Sequence, residues 1–167
     1  MEVVFESERL LYVKVNEEYA KYYVEMLNNE EIQRLIGNKR KEYTVEKEIK
    51  WIKSKLENNE QVFTVLEKGT NSFVGNAELK DYDGKTAELG VVLTPEMQNK
   101  HYGSEIEKTL IDYAFNDLNV DYLTAEVFDY NERSLHVALK QGFVETERTP
   151  GTGDFGDYVG VHFKMTR

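Results

Sequence analysis

The chain contains no cysteine. Disulfides, thiolate nucleophiles and cysteine-based zinc sites are therefore excluded. Proline is nearly as scarce, with Pro95 and Pro150 the only two, and neither marks a domain boundary. No internal repeat, low-complexity tract or linker stands out, so residues 1–167 read as a single domain with a sizeable core. Basic residues are outnumbered, 21 against 31 acidic, for a formal net charge of −10. A nucleic-acid partner wants a basic face, so none is expected. The acidic field is compatible with a cationic substrate, although solubility alone accounts for it. No stretch approaches the ~20 apolar residues of a membrane span. The opening MEVVFESERL lacks a basic segment and a long apolar run, so no signal peptide is expected and the chain reads as cytoplasmic. Histidine is limited to His101, His136 and His162, which show no i, i+4 pairing, and no metal site is expected.

What the chain does have is regular patterning. RLLYVKV (9–15) alternates as a strand does. NEEYAKYYVEMLNN (16–29) starts on an Asn cap and places Tyr19, Tyr23, Met26 and Leu27 on one helical face. A short helix is expected over 30–36, stopped by Gly37, and a longer one over 44–59, with Val45, Ile49, Ile52 and Leu56 as its apolar stripe. Strands are expected over 61–67, 72–80 and 85–93, the last two joined by the Asp-Gly turn DYDG. In the third, Ala87, Leu89, Val91 and Leu93 share one face, and Glu88, Gly90 and Val92 the other. A helix from about Gly103 to Leu118 repeats Ile106, Leu110, Ala114 and Leu118 every four residues. A strand at 121–128 and a helix at 131–141, capped by Asn131 and ended by Gly142, precede a closing hairpin. The order is β, α, α, β, β, β, α, β, α, β, β, a mixed α/β sandwich with a central meander.

Two stretches look like nucleotide or phosphate sites. GTGDFG (151–156) matches a dinucleotide fingerprint by letter, but no helix follows it and Asp154 and Asp157 would repel a pyrophosphate. A flexible hairpin loop is the better reading. PEMQNKHYGSE (95–105) is a strand-to-helix turn with Gly103 and Ser104 at the helix start. Free N–H groups there can hold a phosphate. A cradle usually places glycine where backbone meets ligand, and His101 stands where a second glycine is expected. Spacing alone does not separate a cradle from an ordinary turn.

The next crossover does. Its strand is followed at once by NERSLHVALKQGFVE, a polar cap and a short helix stopping at Gly142 and Phe143. Together these features resemble the GNAT superfamily of acetyl-CoA-dependent N-acetyltransferases. Its loop pattern, Q/R-x-x-G-x-G/A, is matched from Gln98 to Gly103 except at His101. SERL near the start and AELGVVL before the loop are similar to the branch of ribosomal-protein N-terminal and polyamine acetyltransferases. The resemblance covers nearly the whole chain. It implies one N-acetyltransferase domain over 1–167, an α/β GNAT-like fold with a mixed, mostly antiparallel sheet flanked by helices, and splayed strands at the acetyl-CoA site.

The resemblance also implies roles. The pyrophosphate of acetyl-CoA, the co-substrate, would sit on the backbone of Gln98, Asn99, Lys100, His101, Tyr102, Gly103 and Ser104. Val91, Val92 and Leu93 would lie beside the pantetheine arm, and Asn131 would contact it or position the acetyl group. Glu88 matches a position where many members carry a base. Many members place a Tyr acid where this chain has Ala138, so Ser134, in the N-x-x-S pattern of the ribosomal-protein branch, is the candidate for the thiolate's proton. The acceptor would be a small-molecule amine or a peptide N-terminus; members of the superfamily often dimerise through the sheet edge or the C-terminal strands, and the closing hairpin could serve a homodimer in that way. The competing reading is a GNAT-like protein that binds acetyl-CoA without turnover, which Ala138 and His101 keep open.

Overall fold

The computed structural model describes all 167 residues. Its strands are Val3–Glu6 (β1), Leu10–Lys14 (β2), Gln61–Glu67 (β3), Phe73–Lys80 (β4), Thr86–Leu93 (β5), Tyr122–Phe128 (β6), Val144–Gly153 (β7) and Gly156–Thr166 (β8). The helices are Ala20–Leu27 (α1), Glu30–Ile36 (α2), Val45–Glu57 (α3), Tyr102–Asn116 (α4) and Glu132–Gln141 (α5). The strands form one sheet in the order β1-β2-β3-β4-β5-β6-β8-β7. Every neighbouring pair is antiparallel except β5 and β6. This is the α/β architecture expected from the sequence, with one strand more, β1, and with the short helix α2 standing as its own element.

Strand alternation sends side chains to two opposite layers. On one face Leu10, Tyr12, Phe63, Val65, Ala77, Leu79, Ala87 and Leu89 meet Ile106, Leu110 and Ala114 of α4 and Ala138 of α5 in the main core. On the other, Val13, Leu66, Val15 and Val62 meet Tyr23 and Met26 of α1 and Ile52 of α3. Asn16 caps its helix start as the sequence indicated, accepting the Glu18 N–H, and Asn29 and Thr44 cap two more by accepting the Ile32 and Lys47 N–H groups. Each such cap is worth about 1 kcal/mol.

Two expectations change. The apolar stripe of α3 is not Val45, Ile49, Ile52 and Leu56, because Val45 and Leu56 are each 46% exposed. The buried residues are Glu48 and Ile52, with Trp51 half-buried against Tyr23. Burying the Trp ring sets the helix rotation and carries Glu48 inward. The GTGDFG stretch is not a loose loop. β7 runs to Gly153 and β8 starts at Gly156, leaving a two-residue turn. Its tip is held by Asn38, whose backbone and side-chain oxygens accept the Asp154 and Phe155 N–H groups at 2.9 and 2.8 Å. No helix is long and apolar enough to cross a membrane.

Candidate functional site

The site begins where two parallel strands part. β5 pairs with β6 only over Thr86–Tyr122, Ala87–Leu123 and Glu88–Thr124. Beyond Glu88, β6 continues with β8 while β5 stays with β4 as far as Leu93. The β6-facing edge of β5 past Glu88 therefore lacks a strand partner, and a cleft opens there. Val91 and Leu93 turn to the α4 layer, and Val92 packs with the Tyr23 cluster of the opposite layer. Gly75 on β4 lets the Val92 carbonyl oxygen come in close: a β-carbon there would lie 2.0 Å from it.

Leu93 leads through a short 3-10 turn, Pro95–Met97, to the loop that starts α4. From Asn99 to Ser104 no backbone N–H donates to an acceptor in the chain, and the helix ladder begins only with Glu105 bonding the His101 carbonyl. Such a run of free donors at a helix N-terminus, with the helix dipole behind it, favours an anion. His101 has φ 62 and ψ 19, the left-handed region, and Asn99 has φ 65. The expected glycine position thus does require positive φ. Histidine and asparagine are the non-glycine residues, with aspartate, most at ease there. The His101 side chain is exposed, so it leaves the cradle open.

The loop is clamped from behind. The Arg9 Nη1 donates to the Lys100 carbonyl at 3.0 Å, its Nε to Glu105 Oε1 at 2.6 Å, and its guanidinium lies over the Tyr102 ring. Tyr102 is turned into the core and donates to Glu67 Oε2 at 2.5 Å, so only its backbone faces the cradle. Gln98 ties the loop to both sides, donating to the Leu93 carbonyl at 3.2 Å and accepting from Arg133 at 3.5 Å. Arg133 thereby joins Lys100 as a second cation beside the free N–H groups. Sequence reading passed over it, although its place in the first turn after Asn131 put it at the cleft.

Across the cleft, Asn131 caps α5 by accepting the Ser134 N–H at 3.3 Å. The Ser134 hydroxyl has no partner within the chain and is half-buried, so it is free to donate. Gly142 ends the helix at φ 105 and Phe143 is sealed in the core. Ala138 is 2% exposed and also belongs to that core, so nothing at that position supplies an acid.

On the α1–α3 face, Glu88 stands at the last rung before the strands part, 39% exposed at its side chain and 3.9 Å from Lys80 Nζ. Two further carboxyls on this face escaped sequence reading. Glu78 lies opposite Gly90, and burial pushes its carboxyl above the usual range. Glu48 is 5% exposed, and burial raises it too. The available signal was Asn76, Glu78 and Lys80, polar at alternate positions of a strand in the middle of a meander. A central strand has no solvent face by default, so polar residues there mark a cleft.

A domain model described as Acetyltransferase (GNAT) domain matches residues 9–144. The spermidine N(1)-acetyltransferase of Vibrio cholerae is 29% identical over 83 residues, 48% of this chain and 48% of that protein. The chain spans about half the length of the curated relatives it matches this way. Among solved structures, a GNAT-family acetyltransferase from Bacillus anthracis superposes with a TM-score of 0.85 at 21% identity, covering 99% of this chain and 98% of that one. The ribosomal-protein-S5-alanine acetyltransferase of Vibrio fischeri gives a TM-score of 0.79 at 18% identity, covering 97% and 95%. With strands that part above a free helix N-terminus and a domain match across most of its length, this chain belongs to the GNAT acetyltransferase family.

Proposed function

We propose that residues 1–167 act as one N-acetyltransferase domain in the cytoplasm, moving the acetyl group of acetyl-CoA to a primary amine of a small molecule or a protein N-terminus by direct attack. The observation that carries this reading is the run of free N–H groups from Asn99 to Ser104, flanked by Lys100 and Arg133. A pyrophosphate fits there on the chemistry of the donors alone. The parted edge of β5 at Val91, Val92 and Leu93 offers amide groups to the pantetheine arm, and Asn131 contacts that arm or helps position the acetyl group. Carboxylates on the α1–α3 face, Glu88 first among those the sequence points to, take the proton that makes the amine a nucleophile. The nitrogen then bonds the thioester carbon, the C–S bond breaks, and the departing thiolate receives a proton through Ser134.

Polyamines, amino sugars, amino acids and N-terminal peptides are the acceptor classes to compare. The spermidine enzyme among the relatives supports starting with a polyamine. A second copy of the chain would pair along the outer edge of β7, which has no strand beyond it. The buried Ala138 favours one other reading, a protein that binds acetyl-CoA and does not turn it over.

Thiol release from acetyl-CoA in the presence of spermidine, aminoglycosides, amino acids and N-terminal peptides separates the two. We expect turnover with one amine class and slower turnover in Glu88→Gln and Ser134→Ala. Tight acetyl-CoA binding by calorimetry, with no thiol released by any amine, would establish the binding protein instead.

A further inference from the structure

We propose that Glu78, on the strand next to the parted one, is the residue that takes the proton from the acceptor amine, with Lys80 and Glu88 as its charged neighbours. This rests on the acetyl-transfer reading above. The geometry turns on Gly90. It lies two residues past the last rung shared with β6, on the face toward α1 and α3, and its cross-strand partner is Glu78. A β-carbon at Gly90 would come within 3.4 Å of Glu78 Cγ and within 2.9 and 3.4 Å of Lys80 Cε and Nζ. The absent side chain is thus the space over which Glu78 and Lys80 lie. That space adjoins the backbone that the parted strand offers to a thioester, and Val92 follows on the same face one rung on, opposite Asn76.

Glu88 is differently placed. It still belongs to a paired rung, and Lys80 Nζ stands 3.9 Å from its carboxylate. Glu78 accepts no hydrogen bond and makes no ion pair within the chain, leaving its oxygens for a proton. Burial is the main influence on it. Lys80 on its own strand and Lys55 on α3 favour its charged form, while Glu60 before β3 and Glu88 on β5 oppose it. Tyr23 of α1, fully buried, feels the Glu78 charge as well. The result is a carboxyl with affinity for a proton above that of an ordinary glutamate, which is what a base working near neutral pH requires. In the step, the N–H bond breaks toward a Glu78 oxygen as the N–C bond forms. The C–S bond releases thiolate, which is protonated at the Ser134 side, and Glu78 returns its proton to water.

The test is the pH profile of kcat at saturating amine and acetyl-CoA. In the wild-type protein the acid limb should fall above the usual glutamate range. Glu78→Gln should remove that limb and lower kcat by about 10²–10³-fold, with the acetyl-CoA Kd and the melting temperature kept. Glu88→Gln should slow turnover by less than about tenfold and keep the limb. A Glu78→Gln enzyme with wild-type kcat and limb overturns the proposal, as does loss of the limb in Glu88→Gln. If Glu78→Gln does not fold, the Glu88→Gln profile alone decides: a retained limb supports Glu78 and a lost one overturns it. Absence of wild-type turnover with every amine overturns the acetyl-transfer reading and this one with it. A working wild type beside an unaffected Glu78→Gln overturns this one alone.

Discussion

Glu107 sits on α4, partly buried and one position after the sheet-facing Ile106. Burial is the sole influence on its carboxyl and pushes it up to about 7 from an ordinary 4.5. The folded protein therefore holds this proton more tightly than the unfolded chain does. The stability that comes with the protonated group is complete below the unfolded value, and it is lost as pH rises through about 7. At about 1.4 kcal/mol per pH unit, full ionisation costs on the order of 3 kcal/mol. Glu107→Gln keeps the shape and removes the charge. It should raise the melting temperature near pH 8 and leave it unchanged near pH 4. Melts of both proteins at the two pH values check this; an equal difference at both would mean that packing, not ionisation, is responsible. Residues such as Glu107, Glu78 and Glu48 were poorly legible in the sequence for a common reason. Each is a charged letter at a position whose burial is decided by a neighbouring element, and periodicity treats charged letters as outward. His101 was legible in part. The loop pattern said that its position wants a glycine, and φ 62 now gives the reason.

Elements were read with more success than single residues. α4, β5 and α5 were placed within a few residues, because their apolar periods are strong and their caps are ordinary. β1 was missed because VVFE is only four residues long, and its strand state depends on pairing with β2. The β7–β8 hairpin was recognised, but not its anchorage. Asn38 is fully buried, at φ 54, and the hairpin tip is bonded to it at three points: the Asp154 and Phe155 N–H groups donate to its two oxygens, and its Nδ2 donates to the Gly156 carbonyl at 3.2 Å. Gly153 is needed for this approach, since a β-carbon there would lie 2.3 Å from the Asn38 carbonyl oxygen. A contact between residues separated by more than a hundred positions has no local signature. Asn38→Ala leaves the Phe155 N–H without its acceptor and places alanine at positive φ. The cost should be about 2 kcal/mol, a drop of roughly 4–8 °C in melting temperature. On the proposed reading, with the acceptor bound between the early helices and the closing hairpin, the amine KM should rise while the acetyl-CoA Kd stays put. Equal weakening of both ligands would show that the tip supports the whole fold rather than the acceptor side.

At the scale of the molecule, the two substrates meet opposite electrostatics. A net charge of −10 attracts a cationic amine from a distance and repels an anionic nucleotide. The loop offsets that repulsion locally, through the N–H groups of Asn99 to Ser104 and the nearby Lys100 and Arg133. These two effects respond differently to salt. The long-range field is screened beyond about 8–10 Å at physiological ionic strength, whereas donors touching a phosphate are screened much less. Raising salt from about 0.05 to 0.5 M should therefore increase the KM of a cationic amine. For acetyl-CoA, screening removes a distant repulsion and weakens a close attraction, so its KM should move less. Initial rates across a salt series, with each substrate varied in turn, measure both trends. An amine KM that ignores salt would mean that the acidic surface serves solubility alone and that local groups such as Glu78 and Glu88 recruit the acceptor without help from the field.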